Sequence, residues 1–194
     1  MKTLYTVIIN IYIVWSRFYR FFERHMPGYK KFKTEFLKAI ENFNTETKWN
    51  IVLKTICYEH DKPYQLWDVT SDPFHVLRRG WGDCDDYSAI AFSVLGYEIE
   101  YRNKKYRYSG TFYLIRKSGG HVISLWKNTL GKDFLMISTK QLTIQKDLKT
   151  AFKCFENVKA IAYVFAHNGK EHFDIKFKKI VMQKNFETFY KEGL

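Results

Sequence analysis

Residues 80–96 read GWGDCDDYSAIAFSVLG. From Asp83 onward this stretch carries the marks of a helix start. Asp83 can serve as N-cap, and Asp85 and Asp86 fill the first turn, where carboxylates suit the unpaired N–H groups. The run then stays apolar to Leu95, and Gly96 ends it. A helix apolar on nearly every side is a buried helix. Cys84 falls in its first turn, where the helix dipole favours a thiolate. The flanking acids oppose that. Sequence neighbours diverge on a helix, however, so Asp83 and Asp85 need not touch the sulfur.

Upstream of this stretch the pattern is helical. Residues 1–28 are the most apolar part of the chain, with polar positions Thr3, Thr6, Asn10, Arg17, Arg20 and Arg24 in one narrow stripe. Pro27-Gly28 stops this helix. The apolar run Leu4–Trp15 is shorter than the roughly 20 residues needed to span a bilayer. No small-x-small cleavage site follows it, which argues against a signal peptide. The expectation is a core helix; a helix lying on a membrane surface, with its arginine end at the headgroups, is the rival. Residues 31–43 set Phe32, Phe36, Leu37, Ile40 and Phe43 on one helical face, and Thr45 or Thr47 can cap a third helix through Trp49, Val52 and Ile56. Pro63 and Pro73 break the chain that follows, with a turn of helix over 73–79.

Downstream of Gly96 the period changes. Residues 106–116, 120–128, 133–139, 161–166 and 172–182 are rich in β-branched and aromatic residues and read as strands. The last ten residues suit a short terminal helix. Helices first and antiparallel strands after give an α+β fold, with the Cys84 helix packed on the sheet. With few Pro and Gly and no repeat, residues 1–194 read as one domain: a helical part over 1–58 and a core over 59–194.

The net charge is +12. Residues 101–150 hold 11 basic and 2 acidic side chains, whereas 51–100 hold 4 and 9. A basic surface suits nucleic acid or anionic lipid. No nucleic-acid-binding motif accompanies the charge, so nucleic acid is not an expected partner. Cys57, Cys84 and Cys154 form no CxxC and are odd in number, which excludes a disulfide scaffold or zinc ribbon and favours a reducing, cytoplasmic setting. Cys57 and Cys154 read as core residues.

A cysteine nucleophile needs a base. His121 is the best-placed histidine, opening a strand after Gly119-Gly120, where glycine permits close approach of another group. The stretch KNTLGK (127–132) suits a hairpin loop with Gly131 left-handed. If Lys127 faces Lys132, His121 faces Ser138, which can orient the ring.

These residues carry a resemblance. GWGDCDDYSAIAFSVL resembles the cysteine motif of the transglutaminase-like superfamily, whose bacterial cysteine-protease members show G-D-C-[DE]-D-[YF]-[AS] at a helix start. GGHVISLWKN is similar to that superfamily's histidine strand and FLMIST to the strand after it. The match covers about residues 60–145. It implies a papain-like core and acyl transfer or amide hydrolysis on a protein or peptide substrate, with Cys84 as nucleophile and His121 as base. The backbone N–H of Cys84 would be one oxyanion donor, with Trp67 or Trp81 as sources of a second. Asp86 would hold the loops. The family's third residue, Asp or Asn, aligns on Ser138, where this chain departs. That departure opens a second reading, a catalytically weak relative kept for binding or structure. Some members bind calcium through acids that map onto Asp83 and Asp85; no other cofactor is implied. Small standalone members occur in bacteria and their viruses.

Overall fold

A computed structural model describes residues 2–59, 70–116, 119–164 and 177–192. The chain begins with three helices, α1 (Lys2–Arg24), α2 (Tyr29–Ile40) and α3 (Thr45–Thr55). Gly28, at φ +77, makes the break between the first two, a left-handed conformation that glycine adopts without strain. The third helix is capped by Asn44, whose side chain accepts from Thr47 N–H at 2.8 Å. Thr45, one of the expected caps, instead donates to Glu100 O and ties the helix to the sheet. Next come β1 (Cys57–Tyr58), α4 (Pro73–Arg79) and β2 (Trp81–Gly82), the two short strands pairing in parallel. The helical part is therefore woven into the core. Pro73 sits at the first helical position of α4, where its missing N–H costs nothing, and Asp72 caps it.

The Cys84 helix, α5, runs Cys84–Leu95, and Gly96 ends it. The strands follow: β3 (Glu98–Tyr101), β4 (Lys104–Arg116), β5 (Gly119–Asn128), β6 (Phe134–Ser138) and β7 (Gln141–Gln145). Then come α6 (Leu148–Lys153), β8 (Val158–Val164), β9 (Phe177–Met182) and α7 (Phe186–Glu192). One antiparallel sheet has the order β7-β6-β5-β4-β8-β9, with β3 beside the first half of β4. The strand β4 changes partners from β3 to β8 at a bulge between Tyr108 and Gly110. The architecture is α+β, as its pattern implies. The short elements β3, β7 and α6 lie outside the expected set. Leu142 and Ile144 alternate weakly in β7, and Asp147 caps α6 through Thr150 N–H.

Each sheet face has its own core. Trp126, Leu135, Ile137, Tyr106 and Tyr108 pack with α2–α5. Phe112, Leu114, Ile123, Leu125, Phe134 and Met136 point the other way, onto α6 and α7. The helix α1 lies on the α5 side, with Ile9 against Ala160, Ala162 and Ile180.

That packing corrects the core-helix expectation. Only a narrow face of α1 is buried, and it is largely polar: Ser16, Arg20 and Glu23 lie inside with Ile9, while most of its large apolar side chains are exposed. Cys57 and Cys154 are also exposed, not core. Phe43, expected on the buried face of α2, falls beyond its end and is exposed.

Candidate functional site

The start of α5 is assembled from tight backbone geometry. Gly80, at φ +82, ends α4 and donates its N–H to Val76 O. Its own carbonyl accepts from Cys57 N–H at 2.8 Å, and Gly82 O accepts from Glu59 N–H at 3.0 Å. A side chain at Gly82 has no room. A Cβ there would stand 2.8 Å from Asp86 Oδ2 and 2.9 Å from Val76 Cγ1. The G-W-G spacing is thus explained by a helix end and a close approach.

Asp83 takes the extended N-cap conformation, but its side chain makes no cap hydrogen bond. Its carboxyl instead lies beside that of Asp85, within 4.8 Å. Asp85 is buried and accepts from Tyr12 Oη at 2.5 Å and from Thr70 Oγ1. Burial pushes the Asp85 carboxyl up, but the bonds from Thr70 and Tyr12 and the charge of Arg20 outweigh it, leaving it below the usual range. Asp86 goes the other way. Burial and the adjacent Asp85 charge raise it, against Arg79 and the Ser71 N–H. Asp86 accepts from Arg79 Nη2 at 2.6 Å and from Ser71 N–H at 2.9 Å. Arg79 also bonds Ser71 Oγ and Trp81 O and lies 3.9 Å above the Trp81 ring. Asp86 thus ties Ser71 and Arg79 to the first turn of α5. Trp81, named as an oxyanion contributor, is engaged with Arg79. Tyr87 is fully buried and donates to Ile56 O. Trp67 lies outside the described residues.

The network extends into α1. Asp72 accepts from Arg24 Nε at 2.8 Å, Tyr29 Oη at 2.7 Å and Phe74 N–H at 3.0 Å. Asp72 N–H donates to Glu23, and Arg20 Nε donates to Thr70 O at 2.9 Å. Burial raises the Glu23 carboxyl to about 7 and lowers the Arg20 guanidinium to about 9. Sequence reading placed Arg20 and Arg24 in one narrow polar stripe and named no partner for either. The available signals were Glu23, the single acid of residues 1–34, and the Asp72-Pro73 pair, a helix-start signature.

His121 and Ser138 are brought together, with Nε2 and Oγ 2.9 Å apart. Their register is shifted by two residues from the expected one, since Ser138 pairs with Ile123. The hairpin closes on Asn128 and Asp133, whose side chains bond at 2.7 Å, while Tyr106 and Lys104 also hold Asp133. A shift of two keeps side chains on the same face, so the contact survives as a diagonal one. Gly131 is not left-handed as expected. A Cβ there would meet Asp133 Oδ1 at 2.7 Å, so the loop needs its small size. Nor does any group approach Gly119 or Gly120 closely, since a Cβ at either would meet nothing within 4 Å; Gly119 is distinguished instead by its φ of +120.

The Cys84 helix and the His121–Ser138 pair lie on opposite sides of the sheet. In β5, Ser124 donates to Ser88 O of α5, so even-numbered residues face α5. His121 has the parity of Ile123 and Leu125 and stacks near Phe155, 5.0 Å between ring centres, on the α6 side. No bulge intervenes between 120 and 125. Ser138 shares the parity of Phe134 and Met136 on that same far side. Burial and then the Arg116 charge lower the His121 imidazole to about 4, so it is neutral at pH 7. The geometry does not support the expected Cys84–His121 pairing.

Asp83, Cys84 and Asp85 each offer one atom within 4.8 Å of the others. The set does not fit calcium. That ion takes about 6–8 hard oxygen ligands. Here one donor is a soft thiol, and the Asp85 carboxylate is already engaged by Tyr12 and Thr70. No family model, curated protein or solved structure matches the chain.

Proposed function

We propose that this chain is a transglutaminase-like protein whose Cys84 helix serves binding or structure and does not carry out thiol acyl transfer. Two features favour the family reading: a cysteine opening a buried helix on an antiparallel sheet, and a histidine and serine in contact on successive strands. The observation that carries the non-catalytic reading is the side of the sheet on which His121 and Ser138 meet. The rival reading, acyl transfer through Cys84 and His121, needs both side chains on one side, within hydrogen-bond reach. The acids that flank Cys84 further support a structural role, since Asp85 and Asp86 accept bonds from Tyr12, Thr70, Ser71 and Arg79.

Iodoacetamide labelling tests this. In a Cys57→Ser/Cys154→Ser background, Cys84 should react near pH 6.5 no faster than a free thiol, and His121→Ala should leave that rate unchanged. Fast labelling that His121→Ala abolishes would restore the acyl-transfer reading.

A further inference from the structure

The side chains of α1 sort into three strips around its axis, at about 3.6 residues per turn. One strip, with Ile9, Ser16, Arg20 and Glu23, is buried. Beside it runs a polar strip containing Thr3, Asn10 and Arg17. The rest, an arc of about 160°, is apolar and faces outward. Ten of the fourteen large hydrophobic side chains identified as exposed among the described residues fall on this helix. Leu4, Ile8, Ile11, Trp15, Phe18 and Phe22 form the spine, each between 43% and 59% exposed. From Leu4 to Phe22 this makes a continuous apolar face about 27 Å long. That far exceeds the scattered apolar exposure ordinary for a folded chain.

The charges exposed on α1 itself are of one sign, while on α2 Lys31 pairs with the exposed Glu35 at 3.9 Å. Residues 1–34 contain seven basic side chains and one acid, Glu23, and that acid is buried. Arg17 in the polar strip is exposed and Arg24 is partly so; beyond Gly28, Lys30 and Lys31 are exposed in the first turn of α2, and the half-buried Lys33 sits 5.0 Å from the Phe74 ring centre. The aromatic rings sit at the same end, with Trp15–Phe18 and Phe18–Phe22 in edge contact at 5.9 and 4.8 Å. An apolar arc, a cationic border and interfacial aromatics are what a helix lying in a bilayer interface presents. The α1 helix itself is not long and apolar enough to cross a membrane. A second copy of the chain is a poorer occupant. The arc is wider than a coiled-coil seam, and pairing would bring like-charged borders together on a protein of net charge +12.

We propose that the apolar face of α1 docks on an anionic phospholipid surface, with Arg17, Lys30 and Lys31 against the headgroups. The buried strip stays bound to the sheet, so the body of the protein is held rigidly above the bilayer.

The test is co-sedimentation of the full chain with vesicles of phosphatidylcholine, with and without phosphatidylglycerol, across a salt series. Binding is expected to the anionic vesicles and to weaken with salt. Ile11→Ser/Phe18→Ser should lower it by at least about tenfold. Arg17→Gln/Lys31→Gln should lower it by about fivefold per charge while leaving weak neutral binding alone. These side chains are exposed, so unchanged far-ultraviolet circular dichroism should accompany each loss. Absence of binding to either vesicle would overturn the proposal, as would binding indifferent to the α1 substitutions. So would a dimer, seen by sedimentation equilibrium, that Ile11→Ser/Phe18→Ser dissociates without any lipid binding.

Discussion

Gly82 shows how much one missing side chain can decide. It stands where Asp86 and Val76 crowd the backbone, and the Arg79–Asp86 ion pair closes over the same point. Gly82→Ala should therefore destabilise the fold by about 1–3 kcal/mol. A lower urea midpoint at constant slope would register it. His121 makes a different prediction. Its folded value, about 4, lies below the ordinary 6.5, so the unfolded chain binds the extra proton between those limits. The contribution is intact above pH 6.5 and is lost as pH falls toward 4. Compared with the wild type, His121→Gln should show a flatter loss of stability on acidification over that window. Glu23, raised to about 7, acts with the opposite sign, losing stability as pH rises from 4.5. The two effects are separated by comparing each single variant with the wild type.

Among the elements, α1 depends most on polar contacts. Its buried strip holds residues 70–72, and Asp72 is the hub, receiving bonds from α1, α2 and the first turn of α4. Asp72→Ala removes a helix cap and strands Arg24 and Tyr29 near a buried void. A loss of about 3 kcal/mol is expected, with hydrogen exchange rising first in α1 and α4. Asp72→Asn keeps an oxygen for the Phe74 N–H and should cost less. The Cys84 helix was legible because its signals agree: an acid at the cap position, acids in the first turn, an apolar run and a terminal glycine. The strands β3 and β7 were not, because short, half-exposed segments show too little alternation to separate from loop.

For the whole molecule, the decisive fact is that a single sheet carries two cores. Sequence alone determined the α+β class, the placement of the longer helices and strands, the buried helix beginning at Cys84, and even the contact of His121 with Ser138. Those depend on local signals: caps, glycines, hydrophobic period, and a hairpin register in which an error of two residues leaves the side-chain faces unchanged. Only the tertiary structure decided which side of the sheet each candidate residue occupies and which side of α1 faces inward. Alternation along β5 sorts its residues into two sets but does not say which set meets α5. Likewise, the helical period of α1 separates its strips without saying that a polar strip would be buried. That choice is made by partners distant in the chain, Ser88 against Ser124 in one case and Thr70 and Asp72 against Arg20 and Glu23 in the other. Such partners offset part of the cost of burying a polar strip, and no periodicity within α1 can announce them.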